Sequence, residues 1–430
     1  MLDIKFIREN PEKVKENIKK KYQYDKVELV DELLKKDEEK RLLMTESQKL
    51  RQRRNEISKS INEAKKNNTD ATELLNEAKK IPSEIKGLDE KIETLEAGIK
   101  EILFIIPNII HHSVPIGKDD SENVEREKIG QPKEFDFEIK SHVELAEELG
   151  IADFETSADT SGKGFYFLKG DLALLNMALI NFSRDYMVKQ GFEYTEPPLM
   201  IRKNILQGVY SNEEIEEMSY KVEDEDLYLI ATSEHPLIGM FIDKTLTKKD
   251  LPVKITGYSA CFRKEIGSHG IDEKGLFRTH QFHKQEMIVI CEPEESYKYY
   301  DEMMKLSKKV FQQLEIPIRE LECCSGDLGD LKAKSADLEA WSPRQQKYFE
   351  ITSLTNMEEA QARRLNIKIE KGGERYFAHT LNNTVIATSR AMVAILENFQ
   401  NKDGSVDIPK ALHPYMYGKT RIEPVKKSER

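Results

Sequence analysis

The 430-residue sequence predicts an α+β protein in which a long antiparallel helical coiled-coil hairpin precedes a larger domain of strands and helices. Two patterns support this fold class: a heptad repeat of apolar residues within the first hundred or so positions, and short β-rich runs that alternate with turns after residue 190. A third observation, 34% charged and 38% hydrophobic residues, is typical of a globular protein with a strongly charged surface. The length suggests two or three folding units.

The second helix of the predicted hairpin carries the clearer repeat. Its apolar residues recur at alternating intervals of four and three, at Leu74, Ala78, Ile81, Ile85, Leu88, Ile92, Leu95, Ile99 and Ile102. A looser repeat runs from Glu28 to Lys66, and residues 67–70 form a polar turn between the two stretches. Together they predict an antiparallel coiled coil over about residues 28–104, with arms some 50 Å long at about 1.5 Å per residue.

Two local features belong to the start and the middle of the second helix. Asp70 precedes Glu73 by three residues, which is the spacing of a capping box. Pro82 lies inside the helix and predicts either a kink or an unpaired carbonyl.

The two predicted helices differ in charge. The formal net charge of −11 argues against general affinity for nucleic acid, so any phosphate-binding surface must be local. From residue 70 to 102 acidic residues outnumber basic ones nine to five, whereas residues 49–66 contain seven basic residues against two glutamates. The candidate phosphate contacts are therefore Lys49, Arg51, Arg53, Arg54, Lys59, Lys65 and Lys66. The alternative is a solvated helix face, the usual meaning of a charge run.

The heptad pattern ends near residue 106, and residues 111–140 are expected to form a linker because Pro115, Gly117 and Pro132 interrupt any periodicity. A second domain, residues 141–430, follows. Within it, the sequence from Asp171 to Gln190 predicts an amphipathic helix. From Phe192 onward strands dominate, with helices between them, which favours a mixed sheet. The clearest predicted strands are residues 227–230, 253–258, 285–290 and 347–351.

Cysteine usage and the N-terminus bear on location. Four cysteines give neither a disulfide framework nor a zinc spacing, the charged N-terminus is unlike a secretory signal, and no apolar stretch approaches the roughly 18 residues of a membrane span. A cytoplasmic protein without membrane association is expected. The chain also contains neither GxxxxGK[ST] nor GxGxxG, so any ATP site must be built in another way.

The segment 261–286 combines residues suited to holding a polyphosphate. It is a predicted strand, a glycine-rich charged loop and a returning strand, with Arg263 and Arg278 on opposite sides of the loop. Two guanidinium groups placed in this way can clamp phosphates through bidentate hydrogen bonds. Phe282 could stack on a purine, and Glu265 adds a carboxylate. Each residue alone has an ordinary structural explanation, and only their joint spacing favours a site.

This segment, with F-R-x-E before the loop and R-x-H-Q-F-x-K-x-E after it, resembles the second signature motif of class II aminoacyl-tRNA synthetases, specifically that of the seryl-tRNA synthetases. The stretch from His379 to Gln400 resembles the third motif, and GFEYTEPPLM from Gly191 resembles the first. Further stretches similar to seryl-specific signatures begin at Ala231, Cys324 and Tyr348. The resemblance covers essentially the whole chain. It implies a tRNA-binding domain over residues 1–110 and a catalytic domain built on a mainly antiparallel sheet flanked by helices.

The resemblance implies that three arginines hold ATP. Arg263 would contact the serine carboxylate and the α-phosphate, and Arg278 and Arg390 would hold the β- and γ-phosphates. The implied activation of serine is an in-line displacement at phosphorus, which depends on positioning and charge stabilisation. No catalytic base is therefore expected. Phe282 would stack on adenine, beside the main chain of Thr279. The implied ATP-binding set is Arg263, Lys264, Glu265, Arg278, Thr279, Phe282, Glu350, Ile351, Thr352, Ser353 and Arg390.

For serine, the resemblance implies Thr232, Ser233, Glu234, Arg263, Glu286, Asn382 and Thr384. Thr232 and Glu286 would receive the ammonium group, and Glu286 and Thr384 the hydroxyl. Alanine would leave these buried polar groups unpaired, and threonine would be excluded mainly by size. Glu350 and Ser353 would be ligands of Mg²⁺, which prefers a few protein oxygens together with phosphates and water.

Three histidines, His269, His280 and His283, lie within fifteen residues and could suggest zinc. Alternation along a strand would separate them, and zinc-containing seryl enzymes lack a long coiled-coil arm, so no zinc is expected. Three positions depart from the commonest bacterial pattern: His235, Asn383-Thr384 and Ser389. These variants resemble the archaeal and eukaryotic branches of the family. His235 itself is interpreted as a packed loop residue.

The resemblance therefore implies a homodimeric ligase that activates serine with ATP and charges tRNA(Ser), with tRNA(Sec) as a further expected substrate. The hairpin would bind the long variable arm of the tRNA by shape and backbone contacts. Two alternatives are a paralogue that charges a carrier protein, which the intact hairpin disfavours, and a noncatalytic tRNA-binding protein, which the retained ATP-clamp residues disfavour. A purely structural coiled-coil rod would leave everything after residue 110 unexplained.

Overall fold

Two long antiparallel helices dominate the N-terminal part of the computed structural model, which describes residues 1–265 and 275–424. The chain folds as two units, Met1–Ile109 and Ile110–Arg430. The helices of the first unit are α1 (Ile4–Glu9), α2 (Pro11–Lys20), α3 (Glu28–Lys66) and α4 (Thr72–Ile105). The helices α3 and α4 are the two arms of the hairpin, so the coiled-coil prediction is confirmed.

Apolar side chains fill the seam between α3 and α4 in two clusters. The outer cluster buries Ile57, Ile81 and Ile85, with Leu50, Ile61, Leu74 and Ala78 packed against them. The inner cluster joins the hairpin to α1 and α2 through Ile7, Val14, Ile18, Val30, Leu33, Ile99, Ile102 and Leu103. These are mainly the heptad positions, and each fully buried side chain contributes roughly 1.5–3 kcal/mol of transfer free energy.

The start of α4 differs from the prediction of a capping box. The helix begins at Thr72, and Asp70 Oδ1 accepts hydrogen bonds from the Thr72 main-chain N–H (2.9 Å) and hydroxyl (2.5 Å). Asp70 thus closes a tight turn with Thr72, two positions further along the chain. It does not form the reciprocal hydrogen bonds with Glu73 that a capping box requires. The helix continues through Pro82. Because proline has no main-chain N–H, the Ala78 carbonyl lacks its usual helical hydrogen bond.

The second unit contains many short strands and a few long ones. They are β1 (Val124–Ile129), β2 (Ala152–Asp153), β3 (Phe167–Leu168), β4 (Glu193–Tyr194), β5 (Met200–Ile201), β6 (Tyr228–Leu229), β7 (Thr245–Thr247), β8 (Val253–Phe262), β9 (Gln281–Cys291), β10 (Ile318–Glu322), β11 (Lys334–Ser342), β12 (Lys347–Glu358), β13 (Lys368–Lys371), β14 (Glu374–Phe377), β15 (His379–Ala387), β16 (Val406–Asp407) and β17 (Arg421–Ile422). Within the described residues, eight of them form one sheet in the order β1-β10-β11-β12-β15-β9-β8-β4. Its neighbours are antiparallel except for β4 and β8, so the mainly antiparallel sheet is confirmed.

The helices of this unit are α5 (His142–Glu148), α6 (Glu155–Ser161), α7 (Gly170–Lys189), α8 (Lys203–Leu206), α9 (Asn212–Met218), α10 (Glu234–Gly239), α11 (Ser296–Gln313), α12 (Ala360–Leu365) and α13 (Thr388–Asn398). The helices α7, α11 and α13 cover one face of the sheet, where residues such as Leu179, Phe311 and Ile395 meet Val289 and Leu381 of the strands. On the other face a smaller core includes Leu237 of α10, which leaves part of that face for a site. Among the described helices, none combines the length and apolar character needed to cross a bilayer.

The expected linker, residues 111–140, is instead partly built into the sheet. Its residues 124–129 form β1, which pairs with β10 at the sheet edge, and Val114 is buried against Cys323 and Leu328. The prediction missed this strand because four of its six residues, from Glu125 to Lys128, are exposed, so the sequence VEREKI lacks the apolar alternation of a half-buried strand.

Candidate active site

The candidate site lies where β8 and β9 end at their connecting loop. The two strands pair over their full length, and Arg263 continues the ladder by donating its main-chain N–H to the His280 carbonyl (2.9 Å). Because side chains alternate along a strand, Phe282, Lys284 and Glu286 share the face of β9 opposite its packed core. The local β-structure therefore sets an aromatic ring, a cation and a carboxylate in a row about 6.6 Å apart.

Three arginines line a cleft of about 130 Å³ in the described part of the chain. Arg263 and Arg278 come from the two sides of the β8–β9 loop, and Arg390 comes from the first turn of α13. The other lining residues are Glu265, Phe277, Thr279, Phe282, Lys284, Glu350, Ile351, Thr384, Ala387 and Ser389. The structure thus brings together the three arginines named from the sequence, and the concentration of positive charge suits a polyphosphate.

Contacts with the protein orient each guanidinium group. Arg278 Nη1 donates to Glu265 Oε2 (2.9 Å), and Arg390 Nη1 donates to the Glu350 carbonyl (2.7 Å). Arg263 Nε donates to the Ala231 carbonyl (3.3 Å), and its guanidinium carbon lies 5.1 Å from the centre of the Phe282 ring. A guanidinium group has five N–H donors, so these contacts leave others to meet a ligand.

A buried carboxylate, Glu286, organises the second part of the site. Its Oε1 accepts hydrogen bonds from the hydroxyls of Thr232 (3.2 Å) and Thr384 (3.0 Å), and it forms an ion pair with the Lys284 ammonium group. Thr384 lies directly opposite Glu286 in the pairing of β15 with β9. All four residues are buried, so they can recognise a small polar molecule away from bulk water.

Glu234, at the start of α10, forms a second buried carboxylate in this pocket. Its Oε1 accepts hydrogen bonds from Gln361 Nε2 (3.1 Å) and Asn382 Nδ2 (3.2 Å), and its main-chain N–H donates to the Thr232 hydroxyl (3.2 Å). Burial, and then the negative charge of Glu286, raise the pKa of Glu234 to about 7. Gln361 was missed by the sequence argument, and a polar residue at a buried position of α12 was the only available signal.

Three residues of the predicted sets place their side chains in contacts outside both the three-arginine cleft and the pocket around Glu286 and Glu234. Lys264 Nζ donates to the carbonyl of Glu216 (2.8 Å), and Ser233 Oγ donates to the carbonyl of Gly257 (2.9 Å). The Thr352 side chain is buried opposite Leu338, on the core face of the sheet. Any contribution of these residues to ligand binding would have to come from the main chain.

A bulge in β12 gathers oxygen atoms at the edge of the cleft. Thr352 pairs with Leu338 and Glu350 with Glu339, so Ile351 is an extra residue on the bulged strand. Without the bulge, residues 350 and 353 would point to opposite faces, and with it Glu350 and Ser353 share one face. Asp337 pairs with Ser353 and joins the same face.

These oxygens fit a hard divalent cation such as Mg²⁺. Asp337 Oδ1 is buried without a hydrogen-bond partner among the described residues, and burial followed by the adjacent Glu350 charge raises the pKa of Asp337. For Glu350 the opposing effect of burial is outweighed by Arg390, which lowers the pKa of that carboxyl. No group of three His, Cys, Asp or Glu side chains suited to a metal occurs among the described residues, so a cation here would share its coordination with phosphate and water oxygens.

The histidines take part in local contacts. His280 Nδ1 donates to the Arg263 carbonyl (2.9 Å), and His283 Nδ1 lies 2.6 Å from the Tyr258 hydroxyl. His269 lies outside the described residues. His235 is fully buried edge-on to Tyr210, and burial, then the nearby positive charges, lower the pKa of His235 to about 3, so it is neutral.

The sheet and its three-arginine cleft define a class II aminoacyl-tRNA synthetase. Residues 220–399 match the family described as the tRNA synthetase class II core domain (G, H, P, S and T). A structure of Giardia lamblia prolyl-tRNA synthetase shares the fold over 64% of this chain and 57% of that one, with a TM-score of 0.56 and 18% identity.

The chain belongs, more particularly, to the seryl-tRNA synthetase family. Residues 1–110 match the seryl-tRNA synthetase N-terminal domain. The serine--tRNA ligase of Methanospirillum hungatei is 48% identical over 97% of this chain and 99% of its own length. A crystal structure of seryl-tRNA synthetase from Pyrococcus horikoshii complexed with ATP matches 99% of this chain and 100% of that one, with a TM-score of 0.94 and 44% identity. The cytoplasmic serine-tRNA ligase of Naegleria fowleri, in complex with AMP, matches 99% of both chains at a TM-score of 0.88 and 34% identity. This chain is accordingly an aminoacyl-tRNA ligase.

Proposed function

We propose that this chain activates L-serine with ATP and transfers the seryl group to the 3′-terminal adenosine of tRNA(Ser), and that tRNA(Sec) is charged in the same way. The observation that carries the proposal is the buried set of Glu286, Thr232 and Thr384 beside the three-arginine cleft. A hydroxyl-bearing amino acid offers an ammonium group and a hydroxyl that match these groups in polarity. The related serine--tRNA ligases, and the structures of relatives in complex with ATP and with AMP, support serine and ATP as substrates.

In the activation step, Glu286 and Thr232 hold the serine ammonium group, and Thr384 with Glu286 holds its hydroxyl. This places the serine carboxylate beside Arg263, next to the α-phosphate of ATP. A carboxylate oxygen attacks the α-phosphorus, the bond from that phosphorus to the bridging oxygen breaks, and pyrophosphate leaves with the electron pair. Arg278 and Arg390 hold the β- and γ-phosphates throughout, and Arg263 stabilises the charge that develops at the α-phosphate.

Adenine lies on the ring of Phe282, beside the main chain of Thr279. Mg²⁺ would be held by the oxygens of Glu350 and Ser353, with Asp337 beside them. When bound, the cation would neutralise phosphate charge in this cleft. In the second step a hydroxyl of the terminal adenosine attacks the carbonyl carbon of seryl-adenylate, and the bond from that carbon to the phosphate oxygen breaks. AMP leaves with the electron pair, and its phosphate takes up the proton of the attacking hydroxyl. Binding and orientation of the two substrates are sufficient for both steps, so no side chain is assigned as a base.

The first unit supplies the tRNA contact in this proposal, and residues 141–430 supply catalysis. Lys49, Arg54, Lys59, Lys65 and Lys66 are exposed and form no ion pair among the described residues, so they are available to phosphates. Arg51 and Arg53 are instead paired with Asp89 (2.7 Å) and Glu77 (2.8 Å) of α4, so they stabilise the hairpin. This narrows the seven predicted contacts to five.

The proposal also includes a cytoplasmic homodimer. Large apolar side chains are exposed on α7 and on the segment after it that resembles the first motif: Met177, Val188, Leu199 and Met200 are 41–50% exposed. Burying these side chains against a second copy would remove them from water, which favours an interface that includes them.

Charging of tRNA tests this function against the carrier-protein alternative. With labelled serine, ATP and a tRNA(Ser) transcript, we expect ATP-dependent transfer of label to the RNA, measured as acid-precipitable counts that ribonuclease removes. A transcript without its 3′-terminal adenosine is the matched control and should receive none. Label that stays on a protein acceptor, or no transfer to tRNA, would contradict the proposal.

A further inference from the structure

Lys284 is a buried cation inside the candidate site to which neither the motif resemblance nor the mechanism above gives a role. It lies on β9 between Phe282 and Glu286, lines the cleft and is only 9% exposed. Its ammonium group forms an ion pair with Glu286 Oε1, the same oxygen that accepts the hydroxyls of Thr232 and Thr384. A resident ammonium group therefore occupies the position that the proposed function gives to the ammonium group of serine.

Electrostatics explain why a cation stands there in the free protein. Glu286 and Glu234 are both buried, and the negative charge of Glu286 contributes to the raised pKa of Glu234. The positive charge of Lys284 opposes this effect, as its lowering influence on the pKa of Glu234 shows. Burial of an ionised carboxylate without a partner costs on the order of several kcal/mol. In the absence of ligand, Glu286 therefore needs a nearby positive charge.

Geometry shows where Lys284 can go when a ligand arrives. Alternation along β9 places it between the aromatic ring proposed for adenine and the carboxylate proposed for the serine ammonium. Between these two ends of seryl-adenylate lie the ribose, the α-phosphate and the serine carboxyl group, and before the reaction the last two are the negatively charged groups. A lysine side chain has a flexible four-carbon stem, so its ammonium group can leave Glu286 and reach them without movement of the strand.

We propose that Lys284 is an exchangeable cation of this site, an inference that rests on the proposed function. In the free protein it neutralises Glu286. The ammonium group of serine displaces it, and it then contacts the carboxylate and α-phosphate where the new bond forms. Lys284 is thus a further catalytic residue, and its displacement couples serine binding to the arrival of positive charge at the reaction centre.

Two measurements on Lys284→Met separate the two halves of this proposal. Ethanolamine carries the ammonium and hydroxyl groups of serine without its carboxylate, so it reports displacement alone. Binding of ethanolamine is measured by calorimetric titration at pH 8. We expect Lys284→Met to bind it about tenfold more tightly than the unsubstituted protein, because the ligand no longer competes with the Lys284 ammonium group. The turnover number for serine-dependent pyrophosphate exchange should fall by about 10²-fold or more, because a cation at the reaction centre is lost.

Lys254→Met is the matched control, because Lys254 lies on the neighbouring strand β8 and forms a partly buried ion pair with Glu302 (2.7 Å) outside the cleft. It should change neither measurement more than about twofold, within the range of mutations away from a site. Ethanolamine affinity that is unchanged or weaker in Lys284→Met would overturn the displacement, and an unchanged turnover number would overturn the catalytic role. If Lys284→Met does not fold, Lys284→Gln is judged by the same two criteria. Absence of serine-dependent exchange in the unsubstituted protein would count against the proposed function itself, while the ethanolamine comparison would still report on Lys284.

Discussion

Arg263→Ala should reduce serine-dependent pyrophosphate exchange by about 10³-fold or more. Arg263 lies at the junction of the two halves of the site, with its guanidinium group against Phe282 and its Nε held by the Ala231 carbonyl. No other described arginine combines contact with the proposed adenine surface and proximity to the Thr232 loop. In the proposed mechanism, the substitution would remove charge stabilisation where the serine carboxylate attacks and would remove one wall of the nucleotide site. Steady-state exchange measures both effects.

Arg319→Ala is the matched control for this prediction. Arg319 also places its guanidinium carbon near an aromatic ring, 4.8 Å from the centre of the Tyr348 ring, and also forms ion pairs, with Glu339 and Glu125. It lies on β10 and does not line the cleft, so exchange should stay within about threefold of the unsubstituted rate. An Arg263→Ala protein with the exchange rate of Arg319→Ala would overturn the site assignment.

Shortening the hairpin should separate the two reactions. Replacing residues 46–90 with a short glycine-serine turn removes the outer cluster around Ile57 and Ile81 but keeps the inner cluster that joins the hairpin to α1 and α2. We expect serine-dependent exchange to remain within about twofold, because the second unit is a separate fold. Charging of tRNA, measured as kcat/KM, should fall by about 10²-fold because several phosphate contacts are lost.

Two sets of charge substitutions refine this test within the intact hairpin. Lys59 and Lys66 are seven residues apart on α3 and therefore share one exposed face, away from the seam. The double substitution Lys59→Glu and Lys66→Glu should weaken tRNA binding and reduce its salt dependence. Arg53→Gln should affect tRNA binding less, because Arg53 is held by Glu77. Normal tRNA charging by the shortened protein would contradict the role given to the hairpin.

The hairpin was predictable because its information is local and periodic. A heptad seam specifies which faces of two helices meet, and α3 and α4 occupy the ranges that the repeat indicated. The capping prediction failed because sequence spacing alone cannot distinguish a capping box from the tighter turn that Asp70 makes with Thr72. Strand β1 was not predicted for a related reason, since an edge strand with exposed side chains shows no alternation of apolar and polar residues.

The sequence predicted which residues belong to the candidate site better than it predicted how they are arranged. Alternation along β9 follows from the sequence, but the bulge at Ile351 does not, and it is the bulge that sets Glu350, Ser353 and Asp337 on one face. Gln361 reaches Glu234 from an element over a hundred residues away in the chain. Contacts of this kind depend on register and packing between distant strands and helices, which a single sequence does not specify.

The most direct test of the proposed function is which amino acid supports ATP–pyrophosphate exchange. With the unsubstituted protein, we expect exchange with L-serine, little with threonine, and at least about 10³-fold less with alanine, because alanine has no hydroxyl to hydrogen-bond with the buried Glu286 and Thr384 pair. Exchange with alanine or glycine, and none with serine, would show that the pocket around Glu286 does not select a hydroxyl and would contradict the assignment of serine as the substrate.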